Sequence, residues 1–385
     1  MTTPLPDAVL TADRDAAFEA AAESLKAAGD VDRLFDLRML HAKVRLGLDV
    51  ARPESLADVP RERRGEIESA YRDAGHEAGQ TLLDRGEIAP AWSYFQAIGE
   101  PGPVRAAIEA IPLPKPDAGY DERNEELAQL ALYEGVHPAR GAEMMLRSTG
   151  TCGTVTALDQ VMPQLPADDR RACAQVMVRW LHGELLRGVR ADVERTAPLL
   201  AEPKTVAGLF VGRESLLDGG SYHVDVSHLA AVVRFARSLE PGDAELPLAV
   251  DLCDYGRRLE RSLQYDGEAP FEDFYPAHQH FLGALKGDDV DAAVTYFRDK
   301  LNAEPDLRDR RLIAYVLSDL LMRCGRAEEA VALAAEHLAG SAAETGFSLG
   351  EMCVRAGRHD LLARHAAEAG DVIGVLAGRF GNAGE

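Results

Sequence analysis

The apolar positions of this chain recur at helical spacing almost from end to end. Within 168–188, Cys173, Val176, Met177 and Trp180 fall at i, i+3, i+4 and i+7, one face of a helix, with Asp168 placed as its N-cap. The stretch 228–239 repeats the pattern with Leu229, Val232, Val233 and Ala236. An Ala-rich helix over 14–28 stops at Gly29, and a second starts after Asp30. No segment shows the period-two alternation of a half-buried strand, so the chain reads as all-α.

One phrase recurs where helices start. Gly86-Glu87 is followed at +5 and +9 by Ala91 and Phe95, Gly287-Asp288 by Ala292 and Tyr296, and Gly325-Arg326 by Ala330 and Ala334. Gly29-Asp30 and Gly357-Arg358 share the opening, with Leu34 and Leu362 at +5. This is the chemistry of a helical hairpin. Glycine takes the left-handed conformation that ends one helix, a polar residue opens the next, and a small residue lets the two approach. Gly287 to Gly325 is 38 residues and Gly325 to Gly357 is 32. Leu349-Gly350, followed by Cys353 and Gly357, fits the core of a first repeat helix. On these residues the chain resembles the tetratricopeptide-repeat superfamily, whose period is about 34. The resemblance is clearest over about 284–370 and partial over 14–110. It implies a right-handed solenoid of α-α hairpins whose concave face binds peptides, proteins or small ligands.

Three prolines within five residues of Ile111–Gly119 forbid a helix and predict a linker. The expected organisation is therefore N-terminal hairpins over 1–110, a linker over 111–119, a central non-repeat helical section over 120–283 and C-terminal repeats over 284–385. Composition agrees: aromatics are 6% of the 385 residues, too few for a sandwich or barrel. Charge narrows the function. With 64 acidic against 42 basic residues the net charge is −22, which opposes nucleic acid and anionic membrane surfaces. The five cysteines form no CxxC pair and read as reduced thiols. The opening residues lack the basic start and apolar run of a signal peptide, and no uncharged apolar stretch is long enough to span a bilayer, so a cytoplasmic protein is expected.

The unusual chemistry lies in the centre. Residues 201–227 hold four glycines and little helical periodicity, and a long irregular segment inside a helical scaffold is often functional. It leads into Tyr222-His223-Val224-Asp225-Val226-Ser227-His228, with Ser227 as the expected N-cap. His228 would face inward on the stripe Val232, Phe235 and Leu239, and His278 inward with Phe281, Leu282 and Leu285. His223, His228, His278 and Asp225 are candidate ligands for a divalent metal (zinc, iron or manganese). Packed histidines are the simpler account, and a metal-free acid–base pair of His228 with Asp225 is a third. Tyr222 and Tyr275 beside the histidines, and Thr151 and Thr154 in the hydroxyl-rich run 148–156, are candidate ligand contacts. That run has no P-loop lysine.

Other groupings have plainer explanations. Glu134 and His137 spell E-x-x-H, but Gly135 and Pro138 point to a helix end. Trp92, Tyr94 and Phe95 suit a hairpin core, and Asp251 and Asp254 a solvated helix face. Two functions follow as expectations: a helical-repeat protein that binds a protein, peptide or small ligand in a groove, or a metal-dependent hydrolase or lyase built on the central histidines.

Overall fold

A computed structural model describes residues 6–53, 55–56, 59–113, 115, 121–196, 205–338 and 348–381. Among these the regular structure is entirely helical, with no strand. The chain forms two compact units, Met1–Thr154 and Val155–Glu385.

The N-terminal unit contains α1 (Asp7–Thr11), α2 (Arg14–Ala28), α3 (Val31–Leu46), α4 (Arg64–Asp84), α5 (Ile88–Ile98), α6 (Gly102–Ala110), α7 (Glu122–Tyr133) and α8 (Pro138–Ser148). Consecutive helices pack as pairs, most extensively α4 with α5 and α7 with α8. Ile88, Ala91, Phe95, Val104 and Ile108 share one core with Leu127, Ala131 and Met144, so residues on both sides of the proline-rich stretch are buried together. The expected domain boundary there is replaced by a continuous core; residues 114 and 116–120 of the stretch lie outside the described residues. The approach of α4 to α5 depends on Gly79, where a Cβ would lie 2.6 Å from the Phe95 ring.

In the C-terminal unit, α10 (Ala167–Thr196) packs against α11 (Val206–Phe210), α12 (Val226–Phe235) and α13 (Leu246–Arg258). The succession continues through α14 (Phe274–Lys286), α15 (Val290–Ala303), α16 (Leu307–Arg323), α17 (Ala327–His337), α18 (Leu349–Arg355), α19 (His359–Ala369) and α20 (Val372–Phe380), each helix packed on the next. The remaining helix, α9 (Gly150–Val161), runs across the division between the units.

The recurring glycines behave as their spacing predicts. Gly29, Gly86, Gly287, Gly325 and Gly357 all have φ between 64° and 96°, at the turns between helices. Ala91, Ala330 and Leu34 at +5 are fully buried, while Ala292 is half-buried. Some of the acidic residues serve as helix caps. Asp13, Asp30, Asp121, Asp225, Asp289, Asp306 and Asp371 each accept a backbone N–H at a helix start.

Two expected caps move. Asp168 lies inside the first turn of α10, which begins at Ala167 and is longer than the apolar pattern suggests. Asp225, not Ser227, caps α12, accepting the N–H groups of Ser227 (2.8 Å) and His228 (3.2 Å). The segment 201–227 is also more regular than its glycines imply. Thr205 caps α11 through Gly208, and 3-10 turns cover Glu214–Gly220; residues 201–204 lie outside the described residues. No helix among the described residues is long and apolar enough to cross a membrane.

Candidate functional site

The central histidines go to separate places. His223 follows the Glu214–Gly220 turns and lies across α10, where a Cβ on Gly188 would sit 3.0 Å from its carbonyl oxygen. Its backbone N–H donates to the buried Tyr255 hydroxyl at 2.8 Å. That hydroxyl is 3.2 Å from His223 Nδ1, and His223 Nε2 is 3.3 Å from Asp192 Oδ2. A phenol that accepts the backbone N–H has its proton free for Nδ1. The ring is then the tautomer that donates from Nε2 to the carboxylate. Burial pushes Tyr255 up to about 12. Burial also raises Asp192, but the hydrogen bonds from His223 and Arg195 outweigh it and hold the carboxyl below its ordinary value. Beside this chain opens a shallow cleft of about 630 Å³ that includes Gly188, Asp192, Arg195 and Tyr222. Tyr222 is 54% exposed on its rim.

His228 and Asp225 form no acid–base pair. The carboxylate is spent on the backbone and on Ser227 Oγ, which holds it below the usual range. His228 sits in the first turn of α12, half-buried and outside the apolar core. His278 does face inward, at 1% exposure. Its Nδ1 donates to the Phe274 carbonyl at 2.7 Å, and its ring stacks 4.2 Å from Phe271. Each imidazole thus has its own surroundings. Among the described residues no group of three or more His, Cys, Asp or Glu side chains is placed to hold a metal ion.

The other candidates resolve individually. Thr154 is buried and returns its hydroxyl to the Gly150 carbonyl at 2.9 Å, while Thr151 is half-buried on the first turn of α9. Tyr275 is fully buried against Gly256, where a Cβ would lie 2.3 Å from its ring, so it is a core residue out of reach of a ligand. Glu134 and His137 flank the Gly135 turn between α7 and α8, and His137 pairs with Glu109 at 2.8 Å. Phe95 is fully buried, with Trp92 and Tyr94 packed on the same core.

Asp251 is not solvated. It holds His182 Nε2 at 2.8 Å and the N–H groups of Val206 and Ala207, tying the start of α11 to α10 and α13. Burial raises this carboxyl, and His182 with the two N–H groups more than compensates. No linear motif marks Asp192 and His182 on α10 or Tyr255 on α13.

Two further cavities lie in the C-terminal unit. One, of about 220 Å³, is bounded by Arg234, Arg237, Tyr265, Phe271, Phe274 and His278 among others. The larger, about 840 Å³, is an open apolar groove along α18, α19 and α20 with Leu349, Val354, Leu362, Ile373 and Ala377 in its walls. Compared with protein-family models, curated proteins and solved structures, the chain matches none.

Proposed function

We propose that the chain is a non-catalytic helical-hairpin protein, a right-handed tetratricopeptide-like solenoid in its C-terminal section, that docks an amphipathic helix of a partner protein. The observation that carries this reading is the groove on α18, α19 and α20, together with Ile373 at 81% exposure on its edge. Val354, Val372, Leu376 and Phe380 are also exposed on these helices. Large side chains held in water on neighbouring helices are the usual mark of an interaction surface. Helix-in-groove docking reads such a surface through apolar anchors at i, i+3 and i+4. Glu351 and Asp371 line the groove together with Arg355 and His365, and the net charge of −22 over the whole chain is what favours a partner helix with a basic polar face.

A test is to pan a display library of amphipathic helical peptides against the full chain and an Ile373→Asp/Leu376→Asp variant. The reading expects basic amphipathic peptides whose affinity falls at least about tenfold on the variant. Peptides that bind both proteins equally, or a library that yields none, would count against it. The hydrolase or lyase reading has less support: both His223 ring nitrogens are engaged, and the proposed metal ligands face different surroundings.

A further inference from the structure

The small cavity beside His278 has a charge problem that the rest of the chain solves elsewhere. Arg237 follows α12, and its side chain is drawn over the Phe271 ring, with Cζ 4.9 Å from the centroid. Its Nε donates to the Arg234 carbonyl at 3.2 Å. Among the described residues no carboxylate pairs with it, although the chain has 64 to offer. Glu268 on the cavity rim is exposed and makes no ion pair with it. Arg234, the other cation on the cavity, is neutralised by Asp159 at 2.5 Å. Burial, then Arg234, pull Arg237 down to about 10. A cation held partly out of water without a counter-charge destabilises the fold that holds it.

His278 sets a second requirement. The Phe274 carbonyl can only accept, so Nδ1 carries the ring proton. Nε2 is buried and has no partner, and the imidazole it belongs to borders the cavity. Burial first, and Arg237 second, push the imidazole down to about 3, so Nε2 keeps a bare lone pair at neutral pH. An occupant that satisfied both groups would bring a negative charge for Arg237 and a hydrogen-bond donor for Nε2. The walls between are aromatic: Tyr265 and Phe274 meet edge-on at 5.0 Å, and Phe274 leans on His278 at 4.3 Å. The space, about 220 Å³, is that of about seven waters at roughly 30 Å³ each, the size of a small organic anion.

We propose that this cavity binds a small hydroxy-carboxylate, its carboxylate on Arg237, its hydroxyl donating to His278 Nε2, and a flat apolar body against Phe274 and Tyr265. The inference is independent of the C-terminal groove. Calorimetric titration of the full chain with mandelate, phenylacetate, mandelamide and inorganic phosphate tests it. Mandelate should saturate a single site. Phenylacetate, which lacks the hydroxyl, should bind at least about tenfold more weakly, since a site built for a donor rejects the analogue without it. Neutral mandelamide should not bind measurably.

Arg237→Met should weaken mandelate at least about tenfold, and His278→Phe should bring mandelate and phenylacetate to similar affinity. Mandelamide binding as well as mandelate, or phosphate binding more tightly, would overturn the assignment. So would the absence of saturable binding by mandelate. These comparisons on the unaltered protein stand even where a variant fails to fold.

Discussion

Arg38, in the N-terminal unit, holds Glu77 and Glu19 each at 2.6 Å, and Lys26 joins the cluster 2.7 Å from Glu77. Arg237, in the C-terminal unit, meets a backbone carbonyl, a phenyl ring and its fellow cation Arg234. Both guanidinium groups are partly withdrawn from water. The first is matched by carboxylates and pins α2, α3 and α4 together. The second is matched by none among the described residues. A network that closes on itself explains its own presence as structure. A charge left open beside a cavity, next to an imidazole with a bare nitrogen, is explained by something that arrives from solution.

The packing beneath this contrast is the same in both regions and sets the largest expected effect. Phe95 rests on Gly79, and Tyr275 rests on Gly256. Gly256→Val places methyl groups where the Tyr275 ring already lies, and a loss of roughly 3 kcal/mol or more is expected in urea unfolding. A variant that unfolds with the wild type would show that the ring has room to move.

Acid separates the two charge sites next. His278 is held at about 3, so below its unfolded value the unfolded chain takes up a proton that the folded one refuses. Its contribution is constant above about pH 6.5 and is lost as pH falls from there toward 3. The loss amounts to a few kcal/mol in all, since each pH unit crossed in that window removes up to about 1.4 kcal/mol. His278→Leu should flatten that part of the stability profile. An unchanged profile would mean that the imidazole protonates in place.

Glu77 works in a lower window and with a smaller effect. Arg38 first, with Lys26 and against burial, holds its carboxyl at about 2. The stabilisation is present above about pH 4.5 and disappears as pH falls toward 2. The cluster is partly solvated, so solvent screening reduces it to about 1 kcal/mol. Glu77→Gln should remove it and its salt dependence; a variant as stable as wild type at pH 7 and low salt would place the cluster among the surface pairs that contribute nothing.

The helical class was legible because helix signals are local. Glycines at Gly29, Gly86, Gly287, Gly325 and Gly357, and the apolar spacing of Cys173, Val176 and Met177, act within a turn or two of themselves. The proline-rich stretch misled as a boundary because buried neighbours on either side, Ile108 and Leu127, are joined by packing that proline content does not report. The sites were legible only in part. His278 was placed inward by its own helix stripe, and correctly. Its relation to Arg237, 41 positions earlier, depends on how α12, α14 and α16 come together. Likewise Asp192 and Tyr255 reach His223 from α10 and α13, and Asp251 reaches His182 across the same pair. A linear spacing of His and Asp suggested ligation, but Asp225 is used by the nearest unpaired backbone groups, those of its own helix start.

The most direct test of the contrast needs no ligand. Urea unfolding midpoints would be measured for Arg38→Met and Arg237→Met beside the wild type, at pH 7 and low salt. The account predicts that Arg38→Met lowers stability by about 1 kcal/mol or more, because it removes the cation that Glu77 and Glu19 share and leaves Glu77 only Lys26, while Arg237→Met leaves stability unchanged or raises it. A loss on Arg237→Met as large as on Arg38→Met would contradict it, making Arg237 one more structural arginine.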